Sequence, residues 1–506
     1  MRRYIVLALL STGLNLMAQS VGNQISVEDK HLEHAEVVSG FRSQLYDNPA
    51  WQQSRYATSL NRIGMSYDNR HATSPYMLED GDGNVFWGGS ADAYLRKGKT
   101  ALWGFARYKK GTVKNIKYNE TEDWRLVYPY VMADTVGGGN SRQEHYDFSG
   151  GFATALGKRW TIGGEGRYTA LLDYRIRDPR PKNLTSDLKL RIGVTYRPWQ
   201  KYALGASFAF RRYKQTNEVK FYNELGIPTT FHLTGLATDY YRFRGENTDS
   251  YYKSTGIGGS LQFAPQKGID GIFAGLTYNY MSMDKIISSL NELPLTNLKH
   301  SMQTATVGYV RSFGGNGIGL KAGESYERRK GTENIFGSAA NNVYPQIAEA
   351  PQYRGELTAL SWAAFYQYRV AKALYSVETG MNWTMLREKH NDPFRYLRSD
   401  ARNNYLRGLA VWHLSKWLLQ ANATIAYTHA GDLAFDQTGI TTEDIVPPTE
   451  HRIAAMSHDS WNGNAAVEGQ YSFAKFSVFA RLGYKYAHYL SHEHTNYKTI
   501  TLGIEF

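Results

Sequence analysis

The 506-residue chain contains no cysteine and only 14 prolines. The first absence excludes disulfide bridges, thiolate metal sites and a lipid anchor on a lipobox cysteine. Length alone would suggest about three domains. There is, however, no Pro/Ser-rich linker and no shift in composition, so one large unit is expected. Also missing is any run of roughly 18 apolar residues, the length that a membrane helix requires. Charged residues make up 21% of the chain and the mean hydropathy is −0.50. This excludes helical spans but not strands, which bring only every second residue to lipid. The net charge of +12 comes without a clustered basic helix or an RNA-binding signature. Nucleic acid is therefore not an expected partner, whereas lipopolysaccharide or an anionic solute is.

What the chain has in quantity is tyrosine (38), glycine (48) and strict alternation. Near its end, Phe476, Val478, Ala480, Leu482, Tyr484 and Tyr486 alternate with Ser477, Phe479, Arg481, Gly483, Lys485 and Ala487. Ile500, Leu502, Ile504 and Phe506 then alternate with Thr499, Thr501, Gly503 and Glu505. Period two places the apolar side chains on one face of a strand, which must be covered by a second sheet or by lipid. The same pattern predicts strands at 58–68, 84–96, 100–111, 144–156, 160–175, 186–198, 201–214, 253–264 and 271–284. It continues at 300–313, 316–330, 356–371, 373–388, 402–414, 416–430, 459–473, 475–489 and 495–506. Tight connections, such as 97–99, 157–159, 314–315 and Ser415, alternate with long ones at 112–143, 215–252, 285–299, 331–355 and 431–458. Loop length segregated by end is the mark of a membrane barrel and not of a sandwich. The expected fold is all-β: a transmembrane antiparallel β-barrel of about eighteen strands over 58–506, with short periplasmic turns and long extracellular loops. Trp103, Trp160, Trp199, Trp362, Trp383, Trp412 and Trp417 are expected in interfacial girdles.

Ahead of the barrel, Arg2 and Arg3, the apolar stretch Tyr4 to Leu10, and Leu14 to Ala18 read as a secretory signal at 1–18, cut before Gln19. The segment 19–57 is expected on the periplasmic side or inside the lumen. The Gly/Tyr-rich strands, alternating hairpins, Arg-Arg leader and terminal Thr-Leu-Gly-Ile-Glu-Phe resemble outer-membrane β-barrel proteins of Bacteroidota-type bacteria. That resemblance implies a Gram-negative outer-membrane location. It also implies a role as an uptake channel, or as an accessory to TonB-dependent transport, with a surface lipoprotein or a TonB-dependent transporter as partner. No separable plug domain of the size such a transporter carries is present. Asn48-Pro49-Ala50 looks like the short hatch motif of the fatty-acid transporter (FadL-like) family, although the strand number exceeds that family's.

Three constellations are candidate sites. Arg167, Arg175, Lys189, Arg191, Arg197, Lys201 and Arg211 fall on the presumed inner face of neighbouring strands. They form a basic wall that would concentrate anions in a low-dielectric channel unless carboxylates such as Asp92, Asp147, Glu165, Asp173, Glu378 and Glu505 neutralise it. His429, His451, His458, His488, His492 and His494 come to one sector of the long-loop rim, where imidazoles can take a metal or haem. Asp80, Asp82 and Asn84 place oxygens at alternate positions, as a calcium loop does, but Val85 stands where that loop needs glycine. The plain alternative is a glycine-rich hairpin turn. For catalysis, only His488 with Ser491, and Asp432 near His429, are available. Neither has motif support, so no enzyme activity and no cofactor are expected. The functional expectation is a channel or accessory uptake component for a small solute, with an anionic preference.

Overall fold

In the computed structural model the described residues are 26–506, apart from 136, 224–227, 246–248, 267–269, 342, 440–441 and 490–492. The leader assigned to 1–18 lies outside them. The alternating stretches form one eighteen-stranded antiparallel sheet. Its first strands are β1 (Leu60–Ala72), β2 (Gly83–Lys97), β3 (Thr100–Ile116), β4 (Gly139–Leu156), β5 (Trp160–Tyr174) and β6 (Arg180–Tyr196). These are followed by β7 (Tyr202–Lys220), β8 (Ser250–Pro265), β9 (Gly271–Ile287), β10 (Leu293–Phe313), β11 (Asn316–Phe336) and β12 (Gln346–Val370). The last are β13 (Ala373–His390), β14 (Arg395–Leu414), β15 (Trp417–Gln437), β16 (Ser460–Ser472), β17 (Ser477–Tyr489) and β18 (His494–Glu505). Each strand pairs with its sequence neighbours. β18 returns to β1, with Glu505 opposite Arg62 and Leu502 opposite Met65, so the barrel closes and no edge is left.

The alternation decides which face is which. On β17, Leu482 is 60% exposed and Phe479 only 2%. The outer face carries Met65, Trp87, Ile192, Leu261 and Leu502, all uncovered by protein. Among the described residues the other sheet is a small one, formed by Met132–Ala133, Phe231–Gly235 and Thr238–Asp239. The apolar band therefore meets lipid. Outward aromatic pairs belt it near the short turns, as in Trp160–Tyr196, Tyr375–Trp412 and Trp417–Tyr471. A second belt near the other end includes Tyr67–Trp87, Tyr108–Tyr146 and Tyr427–Trp461. Trp103 departs from the expected girdle: its indole faces inward and donates to Glu165 (3.1 Å).

The strands exceed the expected bounds at one end only. The connections expected at 285–299 and 331–355 shrink to 288–292 and 337–345, and 175–179 and 391–394 are as tight as turns. Above the lipid both faces meet water, so side chains lose their period while the backbone ladder continues. The short-turn end, where lipid still enforces alternation, departs from expectation by no more than a few residues.

Two bodies of chain fill the lumen. At the short-turn end lie α1 (Val27–Ala35), α2 (Val37–Phe41) and two 3-10 turns, Ser43–Asp47 and Pro49–Ser54. The Ser26 hydroxyl accepts from the Asp29 amide (3.1 Å), capping α1. At the other end, α3 (Trp124–Val127), the small sheet and α4 (Pro447–Met456) fold inward. We refer to these bodies as the floor and the roof.

Candidate functional site

The floor is held by shape, by neutral contacts and by ion pairs to the wall at His31, Glu36 and Asp47. The spacing of Val38, Phe41 and Leu45 gives the segment an apolar face. That face packs on the inward-facing Ala203, Ala264, Phe273, Val310, Ala363 and Phe365. Phe41 meets Phe365 edge to face at 4.7 Å. Leu32 packs against Leu374, Val411 and Leu418 on the other side of the lumen. Between them Asn48, wholly buried, donates from Nδ2 to Val194 O (3.3 Å), Ala206 O (3.1 Å) and Gln262 Oε1 (3.0 Å). Its Oδ1 accepts from the Ala50 amide (3.0 Å). Close approach here depends on glycine in the wall. A Cβ on Gly193 would lie 1.9 Å from Asn48 Oδ1, and one on its cross-strand neighbour Gly163 would lie 2.7 Å from Pro49 C. Polar anchors complete the floor: His31 Nδ1 meets Glu505 Oε1 at 3.0 Å, its Nε2 meets Gln420 Oε1 at 2.9 Å, and Glu36 pairs with Arg369 at 2.6 Å.

Above the floor the lumen is wet and its charges are paired. Arg107–Asp92 (2.8 Å) has side chains 48% and 45% exposed, and in Arg167–Asp147 (2.8 Å) the arginine is 42% exposed. Lys109–Asp68 (2.8 Å) and Arg407–Glu378 (3.7 Å) line the same space. Water therefore reaches the mid-height wall between floor and roof.

The expected basic wall is corrected here. Asp187 takes both Arg211 (2.8 Å) and Lys189 (3.1 Å), Asp147 takes Arg167, and Asp47 of the floor takes Arg191 (3.4 Å). Arg175 leaves the wall for the roof, where Glu120 holds it at 2.6 Å. Arg197 and Lys201 lie in the short turn 197–201, beyond the strand ends. Carboxylates sit among the cations, so no uncompensated stripe of positive charge remains. The histidines do not converge either. His429 faces outward against Asp459 (3.1 Å) and His451 Nε2 meets Pro75 O (2.7 Å). His458 turns back on Ala454 O (2.8 Å), and His494 stacks on Tyr486. His488 lies on the outward register of β17. His492 and Ser491 lie outside the described residues. Among the described residues no group of three His, Cys, Asp or Glu side chains is placed to hold a metal ion.

The calcium-like turn also has another explanation. Asp80 is held by Arg125 and by Trp124 Nε1 (3.3 Å), Asp82 Oδ2 accepts from Asn115 Nδ2 (2.8 Å), and Asn84 lies in β2. Gly81 has φ +67, and a Cβ there would lie 2.1 Å from Lys114 O. Turn geometry therefore demands the glycine.

The roof combines buried charge with apolar packing. Arg452 of α4 forms a two-pronged pair with Glu388 (2.9 and 3.0 Å) and donates to Tyr128 OH (3.0 Å). Trp124, Val127, Tyr130 and Val131 pack onto Tyr213, Tyr252, Met281, Met283 and Leu298 of the wall. Beside them is a cavity of about 220 Å³ whose lining includes Glu79, Asp80, Glu122, Asp123, Asp173 and Trp124. Burial raises the Glu79 carboxyl to about 7, with Asp80 adding to the effect. Burial also pushes Glu122 well above the usual carboxylate range, with Asp173 and Asp123 acting in the same direction. Sequence reasoning missed this site. The available signal was the acidic run Glu120, Glu122, Asp123 ahead of Trp124, inside a segment read only as a long loop.

The profile of a Family of unknown function (DUF6850) matches residues 49–506. No curated protein matches the sequence. Solved structures similar to the chain include the ferric preacinetobactin receptor BauA of Acinetobacter baumannii, with 9% identity, 88% of this chain and 79% of that chain covered, and a TM-score of 0.42. The FrpB iron transporter of Neisseria meningitidis has 10% identity, 88% and 81% coverage and a TM-score of 0.40. The ferric enterobactin receptor PfeA of Pseudomonas aeruginosa has 9% identity, 89% and 82% coverage and a TM-score of 0.38. At such identities and TM-scores nothing about their ligands applies to this chain.

Proposed function

The chain belongs to the Family of unknown function (DUF6850), and from that premise, which specifies no activity, we propose that it is an outer-membrane barrel that passes a small polar solute through a gated lumen. The observation that carries this reading is the hydrated, ion-pair-lined space between a separable floor and a loop-built roof. A wall of exposed Arg–Asp and Lys–Asp pairs is costly to maintain unless water or solute occupies the space beside it. In this reading the short turns face the periplasm, the leader exports the chain, and segment 26–57 is the inner gate. The anionic preference loses its physical basis, because each lumen-facing cation of the expected wall has a carboxylate partner.

A barrel of this size leaves an aqueous interior when nothing fills it. Single-channel recording in planar bilayers tests the reading. The full chain should conduct in rare, small openings, and a chain lacking 26–57 should show a sustained pore. Equal conductance in both would reject the floor as a gate, and no conductance in either would reject passage.

A second reading has one observation in its favour. The β11–β12 hairpin rises beyond the lipid with Ile335 and Ile347 exposed near its tip. Exposed apolar side chains at a rim suit docking of a surface lipoprotein or a TonB-dependent transporter. Co-purification that survives Ile347→Lys would remove that support.

A further inference from the structure

The roof cavity holds more carboxylate than its cations neutralise. Glu79, Asp80, Glu122, Asp123 and Asp173 line it, against Arg125 and Arg175. Asp80 is committed to Arg125, and Arg175 is committed to Glu120 and to Asn119 O (2.6 Å). Asp173 accepts from Ser141, Gln143 and Asn183, and Asp123 lies in the field of Arg211 and Lys189, which leaves Glu79 and Glu122. Glu79 Oε2 is sealed from solvent and accepts no hydrogen bond. The Glu122 side chain is 6% exposed, its nearest basic atom is His145 Nε2 at 3.9 Å, and its one close donor is the neutral Gln143 amide (3.0 Å). A buried carboxylate without a cation is costly in any fold, and a ligand that supplies the cation recovers that cost.

The cavity is also shaped for such a ligand. Its size suits a solute of few heavy atoms, below the usual range for drug-sized ligands. One wall is the Trp124 ring. Arg125 lies over it at 4.6 Å and reaches Asp80, while its own side chain is 61% exposed. An arginine head between an indole and a carboxylate shows what kind of group this wall receives.

We infer that the roof cavity is a binding site for a small organic cation, a primary amine or a guanidinium, whose charged head sits between Glu79 and Glu122 against Trp124. This deepens the solute-passage reading by naming the class of solute, and it places recognition at the long-loop end, ahead of the lumen. Aspartates and glutamates would take the N–H donors, and the aromatic face would take the spread positive charge. The groups facing Glu79 are Asp80 beside it, Arg125 from α3 and Arg452 from α4. Binding is therefore expected to strengthen as pH rises from 6 to 8, because Glu79 loses its proton near 7.

The test is isothermal titration calorimetry of the full chain in detergent, with putrescine as the probe and acetate as its anionic counterpart. Putrescine should bind and acetate should not. Glu122→Gln and Glu79→Gln should each weaken binding about tenfold, the loss expected for one charge-assisted hydrogen bond. Arg125→Gln should tighten it several-fold, because it frees the Trp124 face and Asp80; misfolding cannot produce a gain. No heat with putrescine, binding indifferent to both carboxamide variants, or weaker binding in Arg125→Gln would each overturn the proposal. Calorimetry does not need passage, so a dead pocket in a conducting barrel and a working pocket in a closed one are distinct results.

Discussion

Floor and roof fill the same lumen with different proportions of packing and charge. The floor is one continuous stretch, 26–57, seated by apolar packing and by Asn48 in a glycine-lined cradle. The roof is assembled from distant loops and adds buried ion pairs, Arg452 on Glu388 and Arg175 on Glu120, to an apolar cluster of its own. Apolar packing can be undone and remade as a unit, although lifting the floor also parts His31 from the buried Glu505. A buried ion pair has no such freedom: losing one partner leaves the other unpaired in a low dielectric. The difference suggests that the floor moves as a body, whereas the roof responds to what binds in it.

The sharpest way to break this contrast is at the roof. Arg452→Met strands Glu388 and should destabilise α4 against the wall by about 3–5 kcal/mol, the usual cost of splitting a buried pair. Protease cleavage within 447–456 reads it, and an unchanged cleavage rate would mean that packing, not charge, holds the roof. At the floor, Gly193→Leu drives a side chain into Asn48, with overpacking expected to cost about 1–3 kcal/mol. Trypsin should then cut at Arg42 or Arg55, while Gly150→Leu, where an added Cβ meets nothing within 4 Å, should leave the floor protected. Protection in both variants would show that the glycine cradle is not needed.

The smallest effect is on protons. Burial alone would lower His31 of the floor, but its contact with Glu505 outweighs burial, so its pKa is raised above the ordinary 6.5. That contribution to stability is full below 6.5 and is lost as pH climbs through the raised value. His232 of the roof is sealed with neither ring nitrogen bonded; burial, with Lys285 adding to it, pushes its pKa well below 6.5. Its contribution is full above 6.5 and is lost as pH falls. Histidine-selective NMR should show the two titrating on opposite sides of 6.5. A shift in the same direction for both would erase the distinction between the two ends on this count.

Much of the wall was legible beforehand because lipid enforces it. Leu188, Leu190 and Ile192 face out and Lys189 and Arg191 face in for the same period-two reason. Legibility ended where lipid ends. The upper parts of β10, β11 and β12, with water on both faces, read as loop although their ladders continue. The candidate site was harder still. Lys189 and Arg211 could be placed on one face from sequence, but not their pairing across the strands or their sharing of Asp187, two residues before Lys189. Asp80, Asp82 and Asn84 looked like ligands by spacing, yet Asp80 goes to Arg125 and Asp82 to Asn115 once Gly81 turns the chain.

From its residues alone, then, this chain was bound to be a lipid-facing cylinder, because alternation is local and each strand carries its own instruction about which side meets hydrocarbon. What fills the cylinder was settled only by the fold. Asn48 meets Gly193, and Glu122 meets Asp173, across separations that no spacing rule reads, and whether a charge is free or neutralised depends on neighbours that only closure of the barrel supplies.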